Sequence, residues 1–249
     1  MSAHVDYLLG LADDALVSSQ RMGWWISRSP QLEEDVAMAN IGLDQLGQAR
    51  ALLTHAGAVE AAGRDEDDLA YFRDERDFRN VCLVERPMED FGVAMARLLV
   101  FATWQHELYG ALSASTDATL AAVAAKARKE TAYHVDHARQ WTLRLGDGTA
   151  ESHDRMQAAV EAEWPWREEL YDAGTLAPEL VERGIAVDPG TLREPVEARL
   201  DAVLAEATLS RPDVAAAYSR GRQGRHTEAM GYLLAEMQHL ARSHPGVTW

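Results

Sequence analysis

The stretch Glu33–His55, EEDVAMANIGLDQLGQARALLTH, contains no proline and repeats its apolar residues with a helical period. It reads as one long helix. Val36, Ala39, Leu43, Leu46 and Leu53 step alternately by three and four, broken only by Arg50, and form a ridge that a partner helix must cover. One position along runs a second stripe, Ala37, Asn40, Asp44, Gly47, Ala51 and Thr54, in which every member is small or polar and one is charged. A charge on an inward stripe requires a partner or a metal. Bundles that bind two metals through carboxylates place a Glu-x-x-His pair on each of two helices and a lone carboxylate on each of the other two. Asp44 and Gly47 stand where that pattern has Glu and His, so half of the pair is missing.

Outward from this helix the chain reads as all-α, a ferritin-like four-helix bundle with additional C-terminal helices. The 249 residues suffice for one domain, 1–249, with the core bundle over about 5–145 and accessory helices over about 149–243. The pattern predicts helices over about 5–22, 33–55, 89–112 and 120–145, with a turn from Gly57 to Gly63. The last of the four has the cleanest seam: Leu120, Ala124, Ala127, Thr131, His134, Ala138, Trp141 and Leu145. Shorter helices are predicted over about 149–172, 176–183, 191–209 and 227–243. The charge-dense stretch from Arg64, RDEDDLAYFRDERDFRN, reads as a short solvated helix.

Composition narrows the partners. With 24 basic and 40 acidic residues the formal charge is −16, which disfavours nucleic acid and anionic membrane as partners over most of the surface and leaves room only for a local basic patch. A single cysteine, Cys82, rules out an internal disulfide framework. The start MSAHVDYLLGLADD lacks the basic and apolar regions of a secretory signal, and no run reaches the roughly 18 apolar residues of a membrane span, so the expected compartment is the cytoplasm.

The metal-site idea can be tested position by position. A leading carboxylate precedes the Glu-x-x-His of the next helix by about thirty residues; thirty separate Asp14 from Asp44 and twenty-nine separate Ala102 from Thr131. The six positions are then Asp14, Asp44, Gly47, Ala102, Thr131 and His134. Iron and manganese require carboxylate oxygens and imidazole nitrogens; Gly and Ala supply no side-chain ligand and a neutral Thr hydroxyl is a poor one. Glu107 and Glu130 are displaced around their helices from the needed direction. A literal Glu-x-x-His at Glu236–His239, with Glu206 thirty residues earlier, falls beside the apolar seam of its helix and is set aside. No Gly-rich phosphate loop, nucleophile elbow or Cys-x-x-Cys occurs. The expectation is no metal, cofactor-binding or catalytic residue in this chain, only a degenerate remnant of a di-iron site in which Asp14, Asp44 and His134 make a buried polar cluster.

Five stretches carry a resemblance: LADDALVSSQR, LEEDVAMANIGLDQLGQARALL, GRDEDDLAYFRDERDFRN, KARKETAYHVDHARQWTLRLGDGTAESHDRMQ and the ending GRHTEAMGYLLAEMQHLARSHPGVTW. Together they make the chain resemble the C-subunit family of the multicomponent phenylacetyl-CoA epoxidase over nearly its whole length. The resemblance implies a ferritin-like structural subunit without its own di-iron centre. It would pair with a homologous A subunit that carries the iron, in a complex whose reductase passes electrons from NADPH to form the ring 1,2-epoxide during phenylacetate breakdown. Other epoxidase subunits are further expected partners. Two rival readings stay open: a di-iron oxidase in its own right with atypical ligands, and a stand-alone helical adaptor. Trp24, Trp25, Trp164 and Trp166, near helix ends, are candidate contact residues.

Overall fold

The first helix starts where the Ser2 hydroxyl accepts a hydrogen bond from the Val5 amide, 3.3 Å away, and so satisfies one of the N–H groups a helix start leaves unpaired. In the computed structural model, which describes residues 2–247, ten α-helices follow in order. They are α1 (Ala3–Gly23), α2 (Leu32–Glu60), α3 (Glu66–Tyr71), α4 (Cys82–Glu85), α5 (Phe91–Leu112), α6 (Ala118–Gly146), α7 (Ala150–Glu163), α8 (Pro178–Glu182), α9 (Arg193–Glu206) and α10 (Glu228–Ser243). Among the described residues there is no strand beyond an isolated bridge between Arg220 and Arg225, and the fold is all-α. Each expected helix has a counterpart, but the one read over about 149–172 is α-helical only to Glu163 and continues as a 3₁₀-helix over Trp164–Tyr171; the last two residues of the C-terminal tail lie outside the described residues.

The chain forms two compact units. One joins the segment ending at Pro87 to the segment beginning at Ser219, and the other is Met88–Tyr218. In the first, α1 and α2 run antiparallel: Ser19 donates to the Gly42 carbonyl at 2.8 Å near one end, and the His4 and His55 rings meet edge-on at 6.1 Å near the other. A Cβ on Gly42 would stand 3.3 Å from the Met22 Cβ, so glycine lets the two backbones approach here. That approach sets which side of α2 is inside: Met38, Ile41, Gly42, Gln45, Gln48, Ala49, Leu52 and Ala56 are buried. The ridge expected to lie under a partner helix is mostly at the surface, with Leu43 63% and Val36 54% exposed; only Leu53 of that set is fully buried. The helix also runs past the expected turn. Gly57 is its closest point to the following loop, where a Cβ would sit 2.3 Å from the Arg64 carbonyl oxygen, and Ala61 in the left-handed region ends it.

In the second unit α5 and α6 are the long antiparallel pair; Phe91 packs edge-on against Trp141 at one end, and Gly110 lies against Arg128 at the other. Asp117 caps α6 by accepting from the Thr119 and Leu120 amides, both at 3.0 Å. The α6 seam is buried from Leu120 through Ala138 as expected, then turns by one position to Thr142 and Gly146, leaving Trp141 and Leu145 half-buried. Trp164 is fully buried under the guanidinium of Arg167, Trp25 is buried, Trp166 is half-buried and Trp24 is 42% exposed.

Candidate functional site

Asp13 and Asp14 are both buried in the middle of α1, whose residues Leu8 to Ser19 are hidden on every side. Two carboxylates inside an apolar helix must find cations or N–H donors. Asp13 accepts from both terminal guanidinium nitrogens of Arg73 and also from the Arg79 amide at 2.8 Å. Arg73 lies over the Phe78 ring, 4.2 Å from its centroid, and donates to the Asp77 carbonyl. The charge-dense stretch is therefore not a wholly solvated helix: its exposed acids cap short helical turns, while Leu69, Arg73, Phe78 and Asn80 point inward.

Asp14, the first of the six metal-site positions, uses one oxygen to accept from the Val81 amide (2.8 Å) and the other to accept from Arg222 (2.5 Å). Arg222 also donates to the carbonyls of Gly10 and Arg79. It reaches this depth because the segment carrying it lies directly on the chain at Asn80: a Cβ on Gly221 would stand 2.1 Å from the Asn80 carbonyl oxygen, which only glycine permits.

A third buried group completes the arrangement. Glu85 accepts from Asn80 (2.8 Å), from His226 Nδ1 (2.7 Å) and from the Thr227 amide, and its backbone carbonyl accepts from Arg21 (2.7 Å). His226 Nε2 lies 3.1 Å from the Phe78 carbonyl oxygen. Both ring nitrogens thus face acceptors, an arrangement in which both donate only when the imidazole is protonated. Burial alone would push the His226 imidazole down, but the hydrogen bond and charge of Glu85 carry it above its ordinary value. The three carboxylates fasten the 64–85 and 219–227 segments to α1.

The other metal-site positions sit as follows. Asp44 is half-buried on α2, and Gly47 is exposed, with open space where its Cβ would be. Ala102 is a buried methyl in α5. Thr131 is buried, its hydroxyl 3.2 Å from the Arg128 carbonyl oxygen and 3.4 Å from His106 Nδ1; burial, then the nearby Arg199 cation, lowers the proton affinity of that imidazole. His134 is fully buried one turn on. Glu107 pairs with Arg199 and Glu130 with Lys126. Glu236, His239 and Glu206 are exposed, and Glu206 holds Arg139. The six positions do not fit a two-metal centre: Gly47 and Ala102 have no donor, the Thr131 hydroxyl is neutral, and both oxygens of Asp14 already serve Val81 and Arg222.

Sequence reasoning missed Arg73, Glu85, Arg222 and His226. The signal available was the Asp13-Asp14 doublet itself, which inside an apolar run demands two sets of donors. In the second unit the comparable pair is Arg97 with Glu163, fully buried and joined by two hydrogen bonds of 2.8 and 3.0 Å. No helix among the described residues is long and apolar enough to cross a membrane.

Long antiparallel helix pairs, with no strand among the described residues beyond one isolated bridge, define an all-α protein of the ferritin-like class. Comparison with known proteins narrows this further. The chain belongs to the phenylacetic acid catabolic protein family, whose model matches residues 1–249. It is 47% identical over 243 residues, 98% of each chain, to the C subunit of the 1,2-phenylacetyl-CoA epoxidase of Escherichia coli strain K12.

Proposed function

We propose that this chain is a structural subunit of a phenylacetyl-CoA epoxidase: a cytoplasmic scaffold that pairs with the homologous, di-iron A subunit, stabilises it, and contributes no residue to the chemistry. The observation that carries this reading is the state of the metal-site positions. Three of the six have no useful donor, and the α1 carboxylate among them, Asp14, is spent on Arg222 and Val81. The 47% identity to an epoxidase C subunit over almost the full length supplies the reaction context. A di-iron centre needs its ligands held to a fraction of an ångström, and a wall of packed helices from a neighbouring subunit provides that rigidity.

Reconstitution tests this. Asp44→Ala and His134→Ala chains that remain folded and bound to the catalytic subunit are expected to support epoxidation within a few-fold of the unaltered complex. A loss of turnover by orders of magnitude with assembly intact, or about two irons per isolated chain by elemental analysis, would assign chemistry to this chain and overturn the scaffold reading.

A further inference from the structure

We infer that the exposed ridge of α2 is the seat of one apolar helix of the catalytic subunit, and that this helix is flanked by basic side chains. The inference rests on the subunit reading above and adds where the partner sits and what chemistry it presents. Large apolar side chains are exposed at few places, and one stretch concentrates them: Trp24, Ile26, Leu32, Val36, Leu43 and Leu46, between 39% and 73% exposed. From Leu32 to Leu46 the ridge runs about 21 Å along one side of a single helix. Half-buried Ala39 and exposed Gly47 leave gaps along it, and a Cβ on Gly47 would meet nothing within 4 Å. Ridges and gaps of this kind are what a second helix packs into. Together these side chains offer on the order of several hundred Å² of apolar surface, the scale of the apolar part of one side of a stable interface, which totals about 800 Å² per partner.

Charge decides the occupant. Between Ser29 and Ala49 the sequence has Glu33, Asp35 and Asp44 exposed or half-buried, Glu34 buried, and no Lys or Arg. The bases at either end are already engaged within the chain: Arg28 lies over the Trp24 ring and donates to the Trp24 carbonyl, and Arg50 pairs with Glu66. A second copy related by a two-fold axis would set this acidic face against itself, which like-charge repulsion opposes. A helix with an apolar ridge and Arg or Lys beside it meets no such penalty.

The test is co-expression of the full chain with the catalytic subunit of the epoxidase, followed by size-exclusion chromatography with light scattering and titration of the purified partners. The expected result is a heteromeric complex that Leu43→Glu with Leu46→Glu weakens at least a hundredfold, and that Glu33→Lys weakens several-fold while reducing its salt dependence. Tyr133→Glu, which alters an exposed aromatic on α6 of the other unit, should leave affinity unchanged. Because all these positions are at the surface, circular dichroism and the thermal midpoint of each variant should match those of the unaltered chain. A complex that survives Leu43→Glu with Leu46→Glu overturns this inference and leaves the subunit reading standing. Absence of any complex with the unaltered chain overturns both. A homodimer that the double variant dissolves overturns the choice of occupant.

Discussion

α1 and α5 are the most deeply hidden of the long helices, and they meet their polar obligations differently. α5 is buried from Ala94 to Gln105 and carries one charge there, Arg97, which Glu163 of α7 neutralises. α1 is buried from Leu8 to Ser19 and carries Asp13 and Asp14, whose guanidinium partners lie 60 and 208 residues away in sequence. The difference explains why the first unit is discontinuous in sequence: α1 cannot be hidden until two distant segments deliver their cations. Such pairs add little stability over an apolar core of the same shape, yet leaving one half alone is costly. Their contribution here is to dictate which segments dock on α1.

The two helices should differ most at Arg73. Arg73→Met leaves Asp13 buried without its cation and is expected to cost about 3–5 kcal/mol, whereas Asp13→Leu with Arg73→Met should recover most of the loss. Urea midpoints of the two variants decide it; equal costs would mean that pairing is not what holds the segment. In α5 the expected weakness is of another kind. Leu98→Ala should cost about 2–5 kcal/mol through lost burial and the cavity left behind, and the cost should not change with pH.

At His226 the first unit acquires a dependence on pH. The proton affinity of this imidazole is raised in the folded chain, so its pairing with Glu85 contributes fully below the ordinary histidine value near 6.5 and is lost as pH rises through the higher folded value. The unaltered chain should therefore exceed His226→Gln in stability by about 1.5–3 kcal/mol at pH 6, a margin that shrinks toward pH 9. A margin that grows with pH would contradict the assignment. The smallest effect is expected at the surface. Removing Arg139, paired with Glu206 in the open, should change stability by no more than about 0.5 kcal/mol and vanish into the noise at high salt.

Helices were legible because apolar period and punctuation are local: the stretch read as 33–55 folds as 32–60, and the α6 seam is buried as far as Ala138. That Gly47 and Ala102 offer no donor was legible for a simpler reason, since neither has one on its side chain in any fold. What period could not show is which side of α2 faces in. Apolar residues surround that helix, and the choice was made by Gly42 admitting Met22 and by Ser19 reaching the Gly42 carbonyl. Nor does composition separate a solvated Arg from a buried one. Arg73 sits among exposed acids in sequence, and only its meeting with Asp13 sets it apart. The engagement of Asp14 by Arg222 depends on a contact between residues far apart in the chain, which no spacing rule encodes.

The discontinuity of the first unit has a consequence for how the chain is made. Residues 88–218 form a unit that is contiguous in sequence, whereas the first unit needs Arg222 and His226, which are synthesised only after the whole of that intervening stretch. At typical elongation rates of about 5–20 residues per second, α1 and α2 wait on the order of ten seconds after Pro87 is made, with Asp14 and Glu85 lacking their final partners. During that interval the nascent N-terminal hairpin is the aggregation-prone part of the protein, and a chain released short of Gly221 would leave it in that state permanently.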